Sequence, residues 1–192
     1  MSLKPWMLVA SLLLGACSSQ PTRYYALSGG HDLLNQPVGR VLLAVGPASV
    51  PDALDRSAML VRRGPNSVEV LDEQRWIDTP KNEIPRVLAT RLSELLPATP
   101  LAVWSQHAAS SAPWRVLIDV QRFDVAPGEA ASVELSWTLL RDADGARSMW
   151  RSSASEPLAS NSTPAQMAAA LSRALDQIAQ QMATQLKQQD LK

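Results

Sequence analysis

Arg115-Val116-Leu117-Ile118-Asp119-Val120-Gln121-Arg122-Phe123-Asp124 and, beyond Pro127-Gly128, Val133-Glu134-Leu135-Ser136-Trp137-Thr138-Leu139 form the stretch that decides the fold. Val116, Ile118 and Val120 alternate with more polar neighbours. Val133, Leu135, Trp137 and Leu139 share one face, as side chains do along a strand. Pro127-Gly128 marks a first turn and Asp144-Gly145 a second. A loop over Asp142–Gly145 sets Trp137 directly opposite Trp150. A tighter loop at Asp144-Gly145 shifts the partner but keeps both indoles on one face. Residues 115–155 therefore read as an antiparallel meander.

The chain after the meander is helical. Thr163-Pro164-Ala165-Gln166 combines a capping box with Pro at the first helical position. Met167, Leu171, Ala174, Leu175, Ile178, Met182 and Leu186 make one apolar stripe, opposite Arg173, Gln177, Gln180 and Gln181. A helix lying on a membrane would carry a basic polar face, which this one lacks, so the stripe of residues 164–187 is expected to dock on the sheet. A second amphipathic helix is predicted over residues 82–96, from Ile84, Val87, Leu88, Leu92, Leu95 and Leu96. Pro85 belongs in the first turn of a helix, where its missing N–H has no partner to lose, and this sets the start near residues 81–83.

Further towards the N-terminus, Val41–Val45 is an apolar run closed by Gly46-Pro47, as in a strand buried on both faces. Residues 47–58 read as irregular. Met59–Arg62 and Ser67–Val70 flank Gly64-Pro65-Asn66 as a hairpin. Tyr24–Leu27 is strand-like and residues 28–37 a loop. Ala102-Val103-Trp104 is a short strand before a Ser/Ala-rich loop. The sum is α/β: a single domain with a mixed sheet, an antiparallel meander and two main amphipathic helices, with Leu88, Leu92, Leu171, Leu175 and Ile178 in its core.

The first residues carry a different message. Lys4 precedes an apolar run from Trp6 to Leu14, then Gly15-Ala16-Cys17. A basic tip, a short apolar core and small residues before a cut site make a secretory signal. The run is too short for a spanning helix, which needs about 20 apolar residues. Leu14 three places before Cys17 does not suit ordinary signal peptidase, whereas Leu-Gly-Ala-Cys resembles a lipobox. The expected organisation is a signal peptide at 1–16, a lipidated N-terminus and short tether at 17–23, and a globular periplasmic domain at 24–192. Lipid on Cys17 is then the membrane anchor. Six steps from Cys17 to Arg23 span at most roughly 20 Å, which holds the domain close to the membrane. Ser18 lacks the Asp that retains enteric lipoproteins in the inner membrane, which favours the periplasmic face of the outer membrane.

Composition sets limits. Cleavage before Cys17 leaves 176 of the 192 residues, about one domain. Lys4 leaves with the signal, so 17 basic side chains face 18 acidic ones and there is no electrostatic case for nucleic acid. His31 and His107 have no second ligand at metal spacing, and the sole Cys is assigned to lipid, which speaks against a His/Cys metal site. There is no Gly-x-Ser-x-Gly elbow and no phosphate loop. Asp52 with Asp55, and Asp142 with Asp144, read as turn residues rather than catalytic pairs. Trp76, Trp104, Trp114, Trp137 and Trp150 could line a groove for acyl chains, but aromatic residues more commonly build cores. No enzyme, cofactor or metal is expected.

Pro47–Ser57 is the candidate partner-binding segment, with Asp52, Leu54, Asp55 and Arg56 as its recognition residues. It is polar and proline-bearing, yet adjoins the most buried-looking strand, and loops held by rigid scaffolds commonly carry function. The alternative is that the prolines only route the chain while Asp55 pairs with Arg56 or Arg62.

Taken in order, several stretches resemble the PqiC/YmbA family of auxiliary lipoproteins in MCE-type transport systems. They are Tyr24-Tyr25-Ala26-Leu27, Val45–Pro51, Leu54-Asp55-Arg56, Met59–Arg62, Arg75-Trp76, Pro85–Ala89, Arg122-Phe123-Asp124, Leu135-Ser136-Trp137 and Ala169–Ser172. Pro80-Lys81-Asn82 is more polar than the family pattern at that point. The resemblance implies a non-enzymatic subunit of a lipid transport system that maintains envelope integrity. Its implied partners are an MCE-domain periplasmic tunnel protein and an inner-membrane protein, with a homo-oligomeric ring as the implied assembly. A carrier of lipids or other hydrophobic ligands is the alternative function. The lipid assignment has a direct test: Cys17→Ser should abolish incorporation of radiolabelled palmitate, and label persisting in that variant would remove the lipoprotein reading.

Overall fold

The computed structural model describes residues 20–29, 41–103, 105, 112–189 and 191. Cys17, His31, Trp104 and His107 lie outside them. Eight strands form one open mixed sheet: β1 (Arg23–Tyr25), β2 (Leu43–Ser49), β3 (Ala58–Gly64), β4 (Ser67–Trp76), β5 (Leu101–Val103), β6 (Trp114–Val125), β7 (Ala130–Arg141) and β8 (Arg147–Pro157). Two helices accompany it, α1 (Pro80–Leu95) and α2 (Pro164–Leu186). β6, β7 and β8 are the expected meander. Trp137 lies directly opposite Trp150, as the longer loop requires, and their rings stack at 4.4 Å. Trp137 Nε1 donates to Ser152 Oγ at 3.2 Å, which satisfies a buried N–H that would otherwise carry a desolvation cost.

β6 sits at the centre of the sheet and its two edges are used differently. β7 pairs antiparallel along its whole length, from Trp114↔Arg141 to Val125↔Ala131. On the other edge β2 runs parallel from Leu43↔Trp114 to Ser49↔Asp119, and β3 joins only at Val61↔Val125. β5 lies outside β2, while β4 and then β1 lie outside β3. The sheet therefore forks at β6.

Both helices cover one face and meet each other, α2 against β7 and β8, α1 against β2 and β5. The face they cover is the one the alternation predicts: Val116, Ile118, Val120, Val133, Leu135, Trp137 and Leu139 are all buried. The five expected core residues, Leu88, Leu92, Leu171, Leu175 and Ile178, are buried as well. Arg91 Nε donates to Asp176 Oδ1 at 2.6 Å and ties the two helices together at their rim. The capping box of α2 closes in both directions, Gln166 N–H to Thr163 Oγ1 and Thr163 N–H to Gln166 Oε1.

Two local expectations need correction. α1 begins at Pro80, so Pro85 is not in the first turn. Pro80 takes the first helical position, where its fixed φ is pre-organised. Asp78 supports that start by accepting from the Thr79 N–H at 2.7 Å and from Asn82 Nδ2 at 2.9 Å. The Asn82 hydrogen bond is the largest of the influences that hold the Asp78 carboxyl below its ordinary range, although burial opposes it. Pro85 then leaves the Lys81 carbonyl without the usual donor four residues on, next to an exposed side chain. Secondly, β2 does not stop at Gly46-Pro47. It continues to Ser49 through a bulge between Val45 and Ala48, with Gly46 at a φ of 107°, which its missing Cβ allows.

Glu83, inside α1, accepts the Leu27 N–H at 3.1 Å and pins the start of the domain to the helix. Burial pushes its carboxyl above the usual glutamate range.

Leu175 lies fully buried between α2 and the sheet. Leu175→Ala should cost about 2–5 kcal/mol by transfer loss and cavity formation, read as a fall in the denaturant midpoint. A loss below about 0.5 kcal/mol, the scale of surface changes, would contradict the packing described here.

Candidate functional site

The fork in the sheet makes a groove. Past Asp119, β6 has no strand partner on one side until Val125, and residues 50–57 cross this interval. Pro51 lacks the N–H that a continuing strand would need. The chain instead turns through a short 3-10 segment, Asp52–Leu54, closed by the Leu54 N–H to the Pro51 carbonyl at 2.8 Å. On the β6 side a register shift between Val120 and Arg122 reorients the strand. Phe123 and Val125 then face the helices, while Arg122 and Asp124 face the groove.

The resulting cavity holds about 340 Å³ and is open to solvent. Pro51, Ala53, Leu54 and Arg56 form one wall, Leu60 and Arg62 of β3 with Val68 and Val70 of β4 another, and Gln121–Asp124 of β6 the floor. The register Leu60↔Val70 and Arg62↔Val68 puts these four side chains on one face of the hairpin. Val68 is 53% exposed and Val70 40%, so the hairpin presents apolar side chains to the groove.

Asp124 organises the charges. It is buried and accepts from Arg62 Nε at 3.0 Å, Arg62 Nη2 at 2.6 Å and Arg122 Nε at 3.1 Å. Arg122 also reaches Glu134 Oε1 at 3.4 Å. Partial burial pulls against the charge on Arg122, but the Asp124 carboxylate, by charge and by hydrogen bond, more than offsets it and the guanidinium pKa is raised. Gln121 is turned to Ser136 Oγ at 2.8 Å. Arg56 differs: it is exposed, lines the groove, and pairs with no described residue. The arrangement offers apolar walls, a fixed ionic floor and one available guanidinium, which suits binding and supplies no nucleophile with an adjacent base.

Of the four residues expected from sequence, the structure brings Leu54 and Arg56 to the groove. Asp52 opens the 3-10 turn outside the groove lining. Asp55 points to α1, where Lys81 Nζ reaches Asp55 Oδ2 at 3.3 Å. The alternative, in which Asp55 pairs with Arg56 or Arg62, is not the arrangement found: Asp55 pairs with Lys81 and Arg62 with Asp124. Sequence reasoning missed Arg62, Val68, Val70, Arg122 and Asp124. The alternation of Val68 and Val70 looks the same whether a strand faces a core or a groove, and only the fork shows which. Trp76, Trp114 and Trp137 are buried, and Trp150 stacks on Trp137, so none of these four lines the groove.

The chain is thus a two-layer α/β domain with a groove open to solvent beside β6. Residues 28–183 match the family of ABC-type transport auxiliary lipoprotein components, and the chain belongs to that family. No curated protein matches the sequence. Crystal structures that share the fold include the following two. One, of an uncharacterized protein, is 17% identical with a TM-score of 0.71, covering 87% of this chain and 99% of its own. The other, protein XCC0632 from Xanthomonas campestris, is 20% identical with a TM-score of 0.60, covering 86% and 99%. Among the described residues, no helix is long and apolar enough to cross a membrane.

Asp124 bridges two guanidiniums, so its removal should cost more than removal of either arginine. Asp124→Ala is expected to destabilise by about 3 kcal/mol, the scale of breaking a buried pair from one side. Arg62→Ala should cost less, because it is half-exposed and leaves Arg122 on Asp124. Equal midpoints for the two variants in chemical denaturation would contradict this.

Proposed function

We propose that this transport auxiliary lipoprotein is exported, cleaved after residue 16 and acylated on Cys17, and that it stands on the periplasmic face of the outer membrane. There it serves as a non-enzymatic subunit of an MCE-type lipid transport system that maintains envelope integrity. Membership of the auxiliary lipoprotein family and the Leu14-Gly15-Ala16-Cys17 lipobox support this reading. The observation that carries it is the groove beside β6, whose apolar walls and available Arg56 suit a segment of a partner protein. Leu54, Leu60, Val68 and Val70 would receive an apolar side chain, and Arg56 a carboxylate beside it. Such a contact concentrates its energy in a few desolvated side chains. As a hydrophobic-ligand carrier the protein would need an enclosed apolar site; its buried tryptophans are instead occupied with one another and with the core.

Arg56→Glu separates binding from folding, since Arg56 is exposed and pairs with no described residue. The variant should keep its melting temperature and membrane anchoring. It should lose co-purification with the MCE-domain partner, an affinity loss of about tenfold or more, or roughly 1.4 kcal/mol. Asp52→Ala, just outside the groove, should leave co-purification unchanged. Full co-purification of the stable Arg56→Glu protein would show that the groove is not the contact.

A further inference from the structure

Lipid attachment at Cys17 restricts where the domain can stand, and the following inference rests on that reading. Six steps carry the chain from Cys17 to Arg23, where β1 begins, at most roughly 20 Å when fully extended. At this entry point two large apolar side chains stand in solvent, Tyr24 and Ile77, each 65% exposed. They are neighbours. β1 runs parallel to β4 with Tyr24 beside Arg75 and Tyr25 beside Trp76, and the Ile77 N–H donates to the Tyr25 carbonyl at 2.8 Å. Trp76 is buried against Phe123, with ring centroids 5.8 Å apart, so the alternation turns Tyr24 and Arg75 to the opposite face. Ile77 lies just past the end of β4, at the same end of the sheet, beside Ala26, Leu27 and Val87.

We propose that Tyr24 and Ile77 insert into the headgroup boundary of the membrane that holds the anchor, so that the domain rests on the bilayer by its β1 edge instead of swinging on its tether. Tyr carries an apolar ring and a polar tip, the form enriched at membrane–water boundaries. Ile77 adds purely apolar area, while the Arg75 guanidinium is turned back to the Asp72 carbonyl at 2.8 Å. The charges at this edge balance, Arg23 and Arg75 against Asp72 and Glu73, the last of which accepts the Thr22 hydroxyl at 2.8 Å. The contact is therefore apolar insertion rather than adsorption to anionic lipid, and it does not depend on salt. The short tether selects lipid as the occupant, because β1 with Tyr24 is the first described strand after the anchor and Ile77 is joined to β1 by its backbone hydrogen bond to Tyr25.

The test uses the acylated protein in liposomes of phosphatidylethanolamine and phosphatidylglycerol. Acylation consumes the only native thiol, so Ile77→Cys provides a single site for a polarity-sensitive fluorophore. Met149→Cys is the control: Met149 is 72% exposed on β8, the strand at a different edge of the sheet. The label at position 77 should shift to the blue and be quenched severalfold more strongly by nitroxide-bearing lipids than the label at 149, equally at low and high salt. Adding Tyr24→Ser should weaken that quenching without changing flotation. Water-like emission at 77, with quenching no stronger than at 149 in protein that floats with the liposomes, overturns the proposal; so does protection that arises only when a partner protein is added. Flotation reports the anchor separately. A chain that does not float and takes label at Cys17 overturns the anchor and the insertion together.

Discussion

β6 is twelve residues long, alternate residues turn their backbone N–H and C=O to opposite edges, and buried backbone groups must find partners on both. β7 meets this need along one edge by a tight hairpin. The other edge is shared by two parallel strands from distant parts of the chain, and neither covers it completely. β2 gives way where Pro51 removes a donor, and β3 arrives only at Val125. The bulge at Gln121 keeps Val120, Phe123 and Val125 all on the helix face, which would otherwise lose its alternation there. From this divided edge follow the fork, the crossing of residues 50–57 and the groove beneath it.

The groove's charges follow from the same geometry. A bulge that turns Phe123 inward turns Asp124 outward into a cleft, where a lone carboxylate would be poorly solvated. Arg62, delivered by β3 at its junction with β6, and Arg122, two residues before Asp124, satisfy it from two sides. Removing Asp124 would leave two guanidiniums without their match, whereas removing Arg62 leaves Arg122 on the carboxylate. Because Arg62 is committed to Asp124, Asp55 is left to Lys81 and Arg56 to solvent.

Much of this was legible in the residues. The meander follows from period-two alternation and two turns, down to the Trp137–Trp150 register. The α2 helix follows from its capping box and stripe. What escaped notice depends on partners far apart in the chain. Nothing in Leu43–Ser49 says that it will lie parallel to Trp114–Asp119, so the strand's passage through Gly46-Pro47 looked like an ending. Pro85 suggested a later helix start, because the support that Asp78 gives to Pro80 is a local hydrogen-bond arrangement that periodicity does not report. Within the candidate segment Leu54 and Arg56 line the groove while Asp52 and Asp55 do not, a division set by the 3-10 turn at Asp52–Leu54 that loop composition does not encode.

β4 connects the two surfaces to which function is assigned. One of its ends carries Val68 and Val70 into the groove. The other pairs with β1 and leads to Ile77, beside the proposed membrane contact. Seven residues separate Val70 from Ile77, at most ~24 Å along a strand. If the β1 edge rests on the bilayer, the groove stands within about that distance of the lipid surface, joined to it through paired strands rather than through a flexible loop. Between the two surfaces β4 passes an irregularity, where β3 pairing jumps from Leu71 to Arg75 and β1 takes up the strand at Gln74. On a long tether the same domain could bind a partner without fixing its position. If both proposals hold, β4 sets the distance between groove and bilayer through its own backbone, with its irregular stretch after Leu71 as the place where that distance can vary.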